Sequence, residues 1–138
     1  MYARAGERGL RVFDLTTGKE LWSYKTSQVS TGPCLADNTV VFGSRDSHIY
    51  AFRRNSDTSD AELAWEFQTN GAVACRPAAQ SGIVYAGSGD GYVYALNAGS
   101  GDLLDKIYVG EPLVAIVPTG RFVLALGNSN IYALSPNG

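Results

Sequence analysis

Long apolar runs are missing from this chain. The longest span only a few residues, whereas a membrane-crossing helix needs about 20, so membrane insertion is not expected. The first ten residues, MYARAGERGL, carry charges and no apolar centre, so they do not read as a secretory signal. Charge is sparse, at 17% of residues with a net of −2. Non-specific attraction to nucleic acid or to an anionic membrane is therefore not expected. There are two cysteines, Cys34 and Cys75, too few for a disulfide framework. Both are expected to be free, buried thiols packing as small hydrophobes. A bridge between neighbouring repeats, the other reading, requires Cα atoms within about 7 Å. Histidine occurs once, as His48. No stretch shows a helical period with caps, so almost no helix is expected.

What the chain has instead is 16 glycines and 45% apolar residues in 138 positions, a mix that suits an all-β protein rich in turns. The stretch IVYAGSGDGYVYALNAGSG, residues 83–101, organises it. It reads as a strand, a tight turn at Gly87-Ser88-Gly89-Asp90-Gly91, a second strand from Tyr92 to Leu96, and a second turn. Gly and Asp suit the positive φ of such a hairpin. Weaker copies lie on either side. Aligned on the paired strands, Phe13, Phe52, Leu96 and Leu134 fall in one column, spaced by 39, 44 and 38 residues. That period matches the roughly 40–45 residues of a four-stranded propeller blade.

A third strand is predicted after each pair, at Glu20–Lys25, Glu62–Phe67 and Leu103–Tyr108. A small-residue strand is predicted before each pair but the first, at Gly32–Ala36, Ala72–Cys75 and Leu113–Val117. Such a strand suits the crowded axis of a propeller. In the second strand of each pair, Leu10/Val12, Ile49/Ala51, Val93/Ala95 and Ile131/Ala133 point one way. Phe13, Tyr50/Phe52, Tyr94/Leu96 and Tyr132/Leu134 point the other. Apolar residues on both faces imply a sheet covered on both sides. Arg11 breaks the Tyr column, as a rim residue or as the mark of an unfinished face on the first unit. The polar segment 53–61 reads as an exposed loop.

At Val12-Phe13-Asp14-Leu15-Thr16-Thr17-Gly18-Lys19-Glu20-Leu21-Trp22 the chain resembles the pyrroloquinoline-quinone-like (PQQ-like) propeller repeat. That pattern is a small or apolar residue, then Asp, then Thr-Gly, then Trp four residues after Gly. Asp14, Thr17, Gly18 and Trp22 fit. The third unit keeps Ala95, Asn97, Ser100 and Gly101 but has Asp105 in place of Trp. The second keeps Ala51 and, past its insertion, Trp65. The resemblance covers essentially the whole chain. It implies that Trp22 and Trp65 dock between the Ala and Gly positions of the next blade, with Gly18 and Gly101 as structural positions. An indole buries about 150–250 Å², which is about 4–6 kcal/mol per contact as an upper bound.

The expected fold is therefore all-β: a propeller segment of about 3.5 four-stranded antiparallel blades, with limits 1–28, 29–69, 70–110 and 111–138. The strand count runs three, four, four, three, because the first blade lacks its inner strand and the fourth its outer one. A closed ring needs at least about four complete blades. The expectation is an arc of a seven- or eight-bladed ring, its C-terminal half, with Met1 already inside a strand pattern. Its partners are then the remaining blades of a parent propeller. Two chains sharing one ring is the competing arrangement, but it leaves two strands missing at each junction.

Candidate chemistry is thin. Gly87–Gly91 superficially matches a phosphate loop, but such loops lead into a helix and this one leads into a strand. His48 has no Ser or Cys partner at a readable position. Asp57, Asp60 and Glu62 lack the spacing of a calcium loop. No catalytic, cofactor-binding or metal residue is assigned, and no cofactor is expected. The resemblance implies a non-catalytic scaffold binding other proteins. Its alternative is part of a quinone-dependent dehydrogenase, whose carboxylate, amide oxygens, calcium and stacking Trp map onto no residues here. A further, weaker alternative is carbohydrate or polymer binding through exposed Tyr and Trp at loop tips. The resemblance favours an extracytoplasmic parent, in the periplasm or cell envelope.

Overall fold

The computed structural model of the protein describes residues 2–6, 9–24, 31–36, 38–53, 62–73 and 75–135. They form fourteen strands in four antiparallel sheets, with no helix among the described residues. Sheet 1 holds β1 (Tyr2–Gly6), β2 (Gly9–Phe13) and β3 (Glu20–Tyr24). Sheet 2 holds β4 (Cys34–Ala36), β5 (Thr39–Gly43), β6 (His48–Arg53) and β7 (Leu63–Gln68). Sheet 3 holds β8 (Ala78–Gln80), β9 (Ile83–Gly87), β10 (Tyr92–Asn97) and β11 (Leu103–Tyr108). Sheet 4 holds β12 (Leu113–Pro118), β13 (Val123–Gly127) and β14 (Ile131–Leu134). Within each sheet the strands lie in chain order, the arrangement of a meandering propeller blade.

One expected strand is misplaced. The inner strand of sheet 3 lies at Ala78–Gln80, not at Ala72–Cys75. Pro77 holds no backbone donor, so a strand running through it loses a ladder bond. The stretch before it is used differently: the Val73 amide donates to the Ser44 carbonyl of sheet 2 at 3.1 Å. Val73 itself is fully buried between sheets 2 and 3. The loop expected at 53–61 and the acids Asp57 and Asp60 fall, except for Arg53, outside the described residues.

The registers make the repeat quantitative. Val12 pairs with Trp22, Ala51 with Trp65 and Ala95 with Asp105. A register shift follows each of these pairs at the same place, before Phe13, Phe52 and Leu96. On the other side of the hairpin, Phe42 pairs with Tyr50, Ala86 with Tyr94 and Ala125 with Tyr132. Equal registers make these residues equivalent, and they fix which side chains face forward to the next sheet.

The core is three seams rather than one centre. Leu10, Val12 and Trp22 of sheet 1 meet Val40, Phe42 and Phe52 of sheet 2. Val41, Ile49, Ala51 and Trp65 meet Val84, Ala86, Tyr94 and Leu96. Tyr85 and Val93 meet Leu113, Ile116, Val123 and Ala125. Sheets 2 and 3 are therefore apolar on both faces, as stacking between neighbours demands. Inner strands β4, β8 and β12 converge, β8 touching both others.

Candidate functional site

The second turn of the first and third units is built by one side chain. Asp14 Oδ1 accepts from the Thr16 amide at 2.7 Å, and the Asp14 carbonyl accepts from the Gly18 amide at 2.8 Å. Asn97 repeats both bonds, to the Gly99 amide at 2.9 Å and the Gly101 amide at 2.7 Å. Such Asx turns deliver a left-handed residue cheaply only when it is glycine. Gly18 has φ +74° and Gly101 +77°.

The turn after β10 receives the indole of Trp65. Its Nε1 donates to the Ala98 carbonyl at 2.9 Å. A Cβ on Gly101 would lie 2.6 Å from Trp65 Cδ2. Trp65 and Gly101 are thus in direct contact across the seam between sheets 2 and 3. The residue equivalent to Trp65 in sheet 1, Trp22, is 2% exposed and packs on Phe52 with ring centroids 6.0 Å apart. Its Nε1 has no hydrogen-bond partner among the described residues. The position matching Ala98 is Arg54, which lies outside them. Gly18 has open space around it among the described residues.

The hairpin turns carry a feature that the sequence reading missed. Tyr50 donates to Asp46 Oδ2 at 2.6 Å, and Tyr94 donates to Asp90 Oδ2. Asp90 also accepts from the Asn70 amide at 3.1 Å, tying the turn to the preceding linker. Sheet 4 has no acid in its turn. Glu111 reaches back from 21 residues away and accepts from Tyr132 at 2.6 Å, the Ser129 amide at 2.8 Å and Asn130 at 3.0 Å. Its side chain crosses Gly127, where a Cβ would collide with the carboxylate. Partial burial works to raise the carboxyl pKa of Asp46 and Asp90, but the bonds from tyrosine, serine and backbone amides outweigh it and hold both below the usual value. Glu111 is lowered chiefly by Tyr132. Desolvation and the acid partner raise Tyr50 and Tyr94. These acid–tyrosine pairs are spent on holding turns.

Other candidates lead away from chemistry. His48 stacks on Tyr50, with centroids 5.6 Å apart, and its Nδ1 lies 3.0 Å from the Asp46 carbonyl. Cys34 and Cys75 are free and buried. Burial pushes the Cys34 thiol up to about 11 and raises Cys75 too, the opposite of an activated nucleophile. Among the described residues no three His, Cys, Asp or Glu side chains gather as a metal site. The Gly87–Gly91 turn leads into β10, with the Ser88 amide donating to the Tyr92 carbonyl, so its backbone donors serve a hairpin. A hollow of about 400 Å³ opens where the inner strands converge, beside Cys34, Leu35, Arg76 and Val114. Arg76 is the one charged residue among the described residues that line it, and its Nε donates to the Pro33 carbonyl at 2.8 Å.

Comparison with known proteins matches this architecture. Outer membrane protein assembly factor BamB of Bordetella pertussis is 27% identical over 128 residues, which is 92% of this chain and 32% of that protein. BamB of Nitrosomonas eutropha is 28% identical over 140 residues, covering 100% of this chain and 32% of its own length. The chain thus spans about a third of the length of these curated relatives. Among solved structures, BamB from Moraxella catarrhalis superposes with a TM-score of 0.79 at 15% identity, over 95% of this chain and 41% of the other. The computationally designed Ika4 protein superposes at 0.80 and 19% identity, over 96% and 84%. At those identities the superpositions speak for the fold, a β-propeller segment. The family model described as PQQ_2, outer membrane protein assembly factor BamB, matches residues 1–138, and the chain belongs to that family of PQQ-like propellers.

Proposed function

We propose that this chain is a non-catalytic segment of a larger propeller, acting outside the cytoplasm as a protein-interaction scaffold in outer-membrane protein assembly. The observation that carries the reading is the full-length family match to proteins named for that role. The geometry supports it: the polar side chains that converge do so to hold turns and seams. In this reading the blades run 1–28, 29–69, 70–110 and 111–138. Trp22 and Trp65 clamp successive blades, with Gly18 and Gly101 as the small positions that receive such an indole. Remaining blades complete the ring, and other proteins are the partners. A role as part of a quinone-dependent dehydrogenase ranks below this, because no residue set for the quinone is assembled among the described residues.

Two measurements test the proposal. Excising the coding segment for these residues is expected to lower outer-membrane protein levels in the parent cell. Titrating the purified chain with pyrroloquinoline quinone and calcium is expected to leave the quinone spectrum unchanged. Saturable binding near one equivalent, or undisturbed outer-membrane protein levels, would overturn it.

A further inference from the structure

The forward faces of sheets 2 and 3 are built alike, and that of sheet 4 departs from them. In sheet 2, Gly43 pairs with Ile49, and in sheet 3 Gly87 pairs with Val93. Both glycines leave room for a side chain from the chain beyond their own sheet. A Cβ on Gly43 would collide with Val73, and one on Gly87 would lie 2.6 Å from Leu113. Val73 and Leu113 are fully or almost fully buried wedges, Val73 from the linker before β8 and Leu113 from the start of β12. In sheet 4 the register puts Leu126 opposite Ile131, the same place in the hairpin. A leucine thus stands where the seams ahead of sheets 2 and 3 leave no room for a side chain.

The rest of that face continues the pattern of the internal ones. Val117 pairs with Leu124, and Leu124 with Ala133, so these residues share Leu126's side of the sheet. They are apolar throughout, with Ile131 71% and Val117 46% exposed, whereas the equivalent Ile49 and Val93 are covered by the next sheet. The opposite end of the arc differs. On sheet 1, Arg11 occupies the Tyr50 position, lies 5.0 Å over Phe13 and is paired to Glu20 at 2.6 Å. That charged surface is a poor cover for the leucines of a second copy.

We infer that the forward face of sheet 4 receives a further blade, and that Leu126 selects one whose wedge position carries glycine or alanine. The knob has changed sides: here the receiving sheet supplies it and the incoming blade must supply the space. A bulky wedge against Leu126 is overpacking, which forces both side chains off their rotamers. This inference rests on the reading of the chain as part of a larger propeller. It adds which blade can follow.

The test extends the chain with its own parts. A second copy of residues 97–135 is fused after Leu134, supplying an outer strand to sheet 4 and then a fifth blade whose wedge is the copied Leu113. Four versions combine Leu126 or Leu126→Gly in sheet 4 with Leu113 or Leu113→Ala in the copy. Backbone amide exchange in the copied β13 reports whether the fifth blade is folded against the fourth. Slowing by tenfold or more is expected for Leu126 with the copied Leu113→Ala, and for Leu126→Gly with the copied Leu113. Little slowing is expected when both leucines are kept. Equal protection in all four versions would overturn the inference and leave the larger-propeller reading standing. No protection in any version would overturn both, because the face would then not receive a blade.

Discussion

Gly18 and Gly101 share a backbone conformation but not a neighbourhood. Both sit at positive φ behind an Asx turn. Only Gly101 lies under an indole. Alanine at Gly18 meets only the conformational penalty of the left-handed region, about 1–2 kcal/mol. Alanine at Gly101 adds a collision with Trp65, worth a further 1–3 kcal/mol or so by the usual cost of overpacking. The urea midpoint of Gly101→Ala is therefore expected to fall about 1.5 to 4 times as far as that of Gly18→Ala. Equal losses would mean that Trp65 moves aside freely. Both glycines were legible in the sequence because their turn repeats with Asp or Asn four residues earlier. Which of them touches a tryptophan was not, because that depends on a neighbour in space.

Strands were easier to read than their partners. Alternating apolar residues located the paired strands of all four units, since each side chain must face one seam or the other. β8 was misjudged because Ala72–Cys75 is as apolar and small as a true inner strand, yet Pro77 and the bond from Val73 to Ser44 commit it to linking two sheets. Glu111 escaped notice because its tyrosine lies 21 residues on, beyond any local pattern. β11 offers a test at this scale. Asp105 occupies the position of Trp22 and Trp65, and a narrow cleft remains there between Tyr85, Ala95, Val123 and Leu134. Asp105→Trp is expected to fill the cleft and raise stability by about 0.5–2 kcal/mol, the usual yield of cavity filling. Thermal denaturation would show it as a higher midpoint. A lower midpoint would mean that the seam between sheets 3 and 4 is closed in a way that rejects an indole.

For the molecule as a whole, pH acts on the hairpin turns of sheets 2, 3 and 4 together. Asp46, Asp90 and Glu111 have lowered folded pKa values. Their contribution is present above the unfolded carboxyl range near pH 4 and is lost as pH falls through the folded values. The thiols and tyrosines shift the other way. Their contribution is complete below the unfolded thiol value of about 8.5 and declines as pH rises, with Cys34 staying protonated to about 11. Stability is therefore expected to be level between about pH 5 and 8 and to fall on both sides. Tyr94→Phe, which removes a donor to Asp90, should flatten the acid limb in a series of denaturant midpoints. An unchanged acid limb would show that the pair adds nothing. The arc itself was legible because a strand count of three, four, four and three follows from the repeat period. Arg11 already marked the first end in the sequence, but the match of Leu126 to Gly43 and Gly87 appears only once the hairpin registers are known.

Each cysteine is buried in a different seam, Cys34 between sheets 2 and 3 and Cys75 between sheets 3 and 4. A thiol reagent can reach the Cys75 sulfur only when its seam parts, whereas Cys34 borders the hollow where the inner strands converge. The alkylation rate of Cys75 thus serves as a clock for how often the wedges formed by sheets 3 and 4 breathe, without any added label.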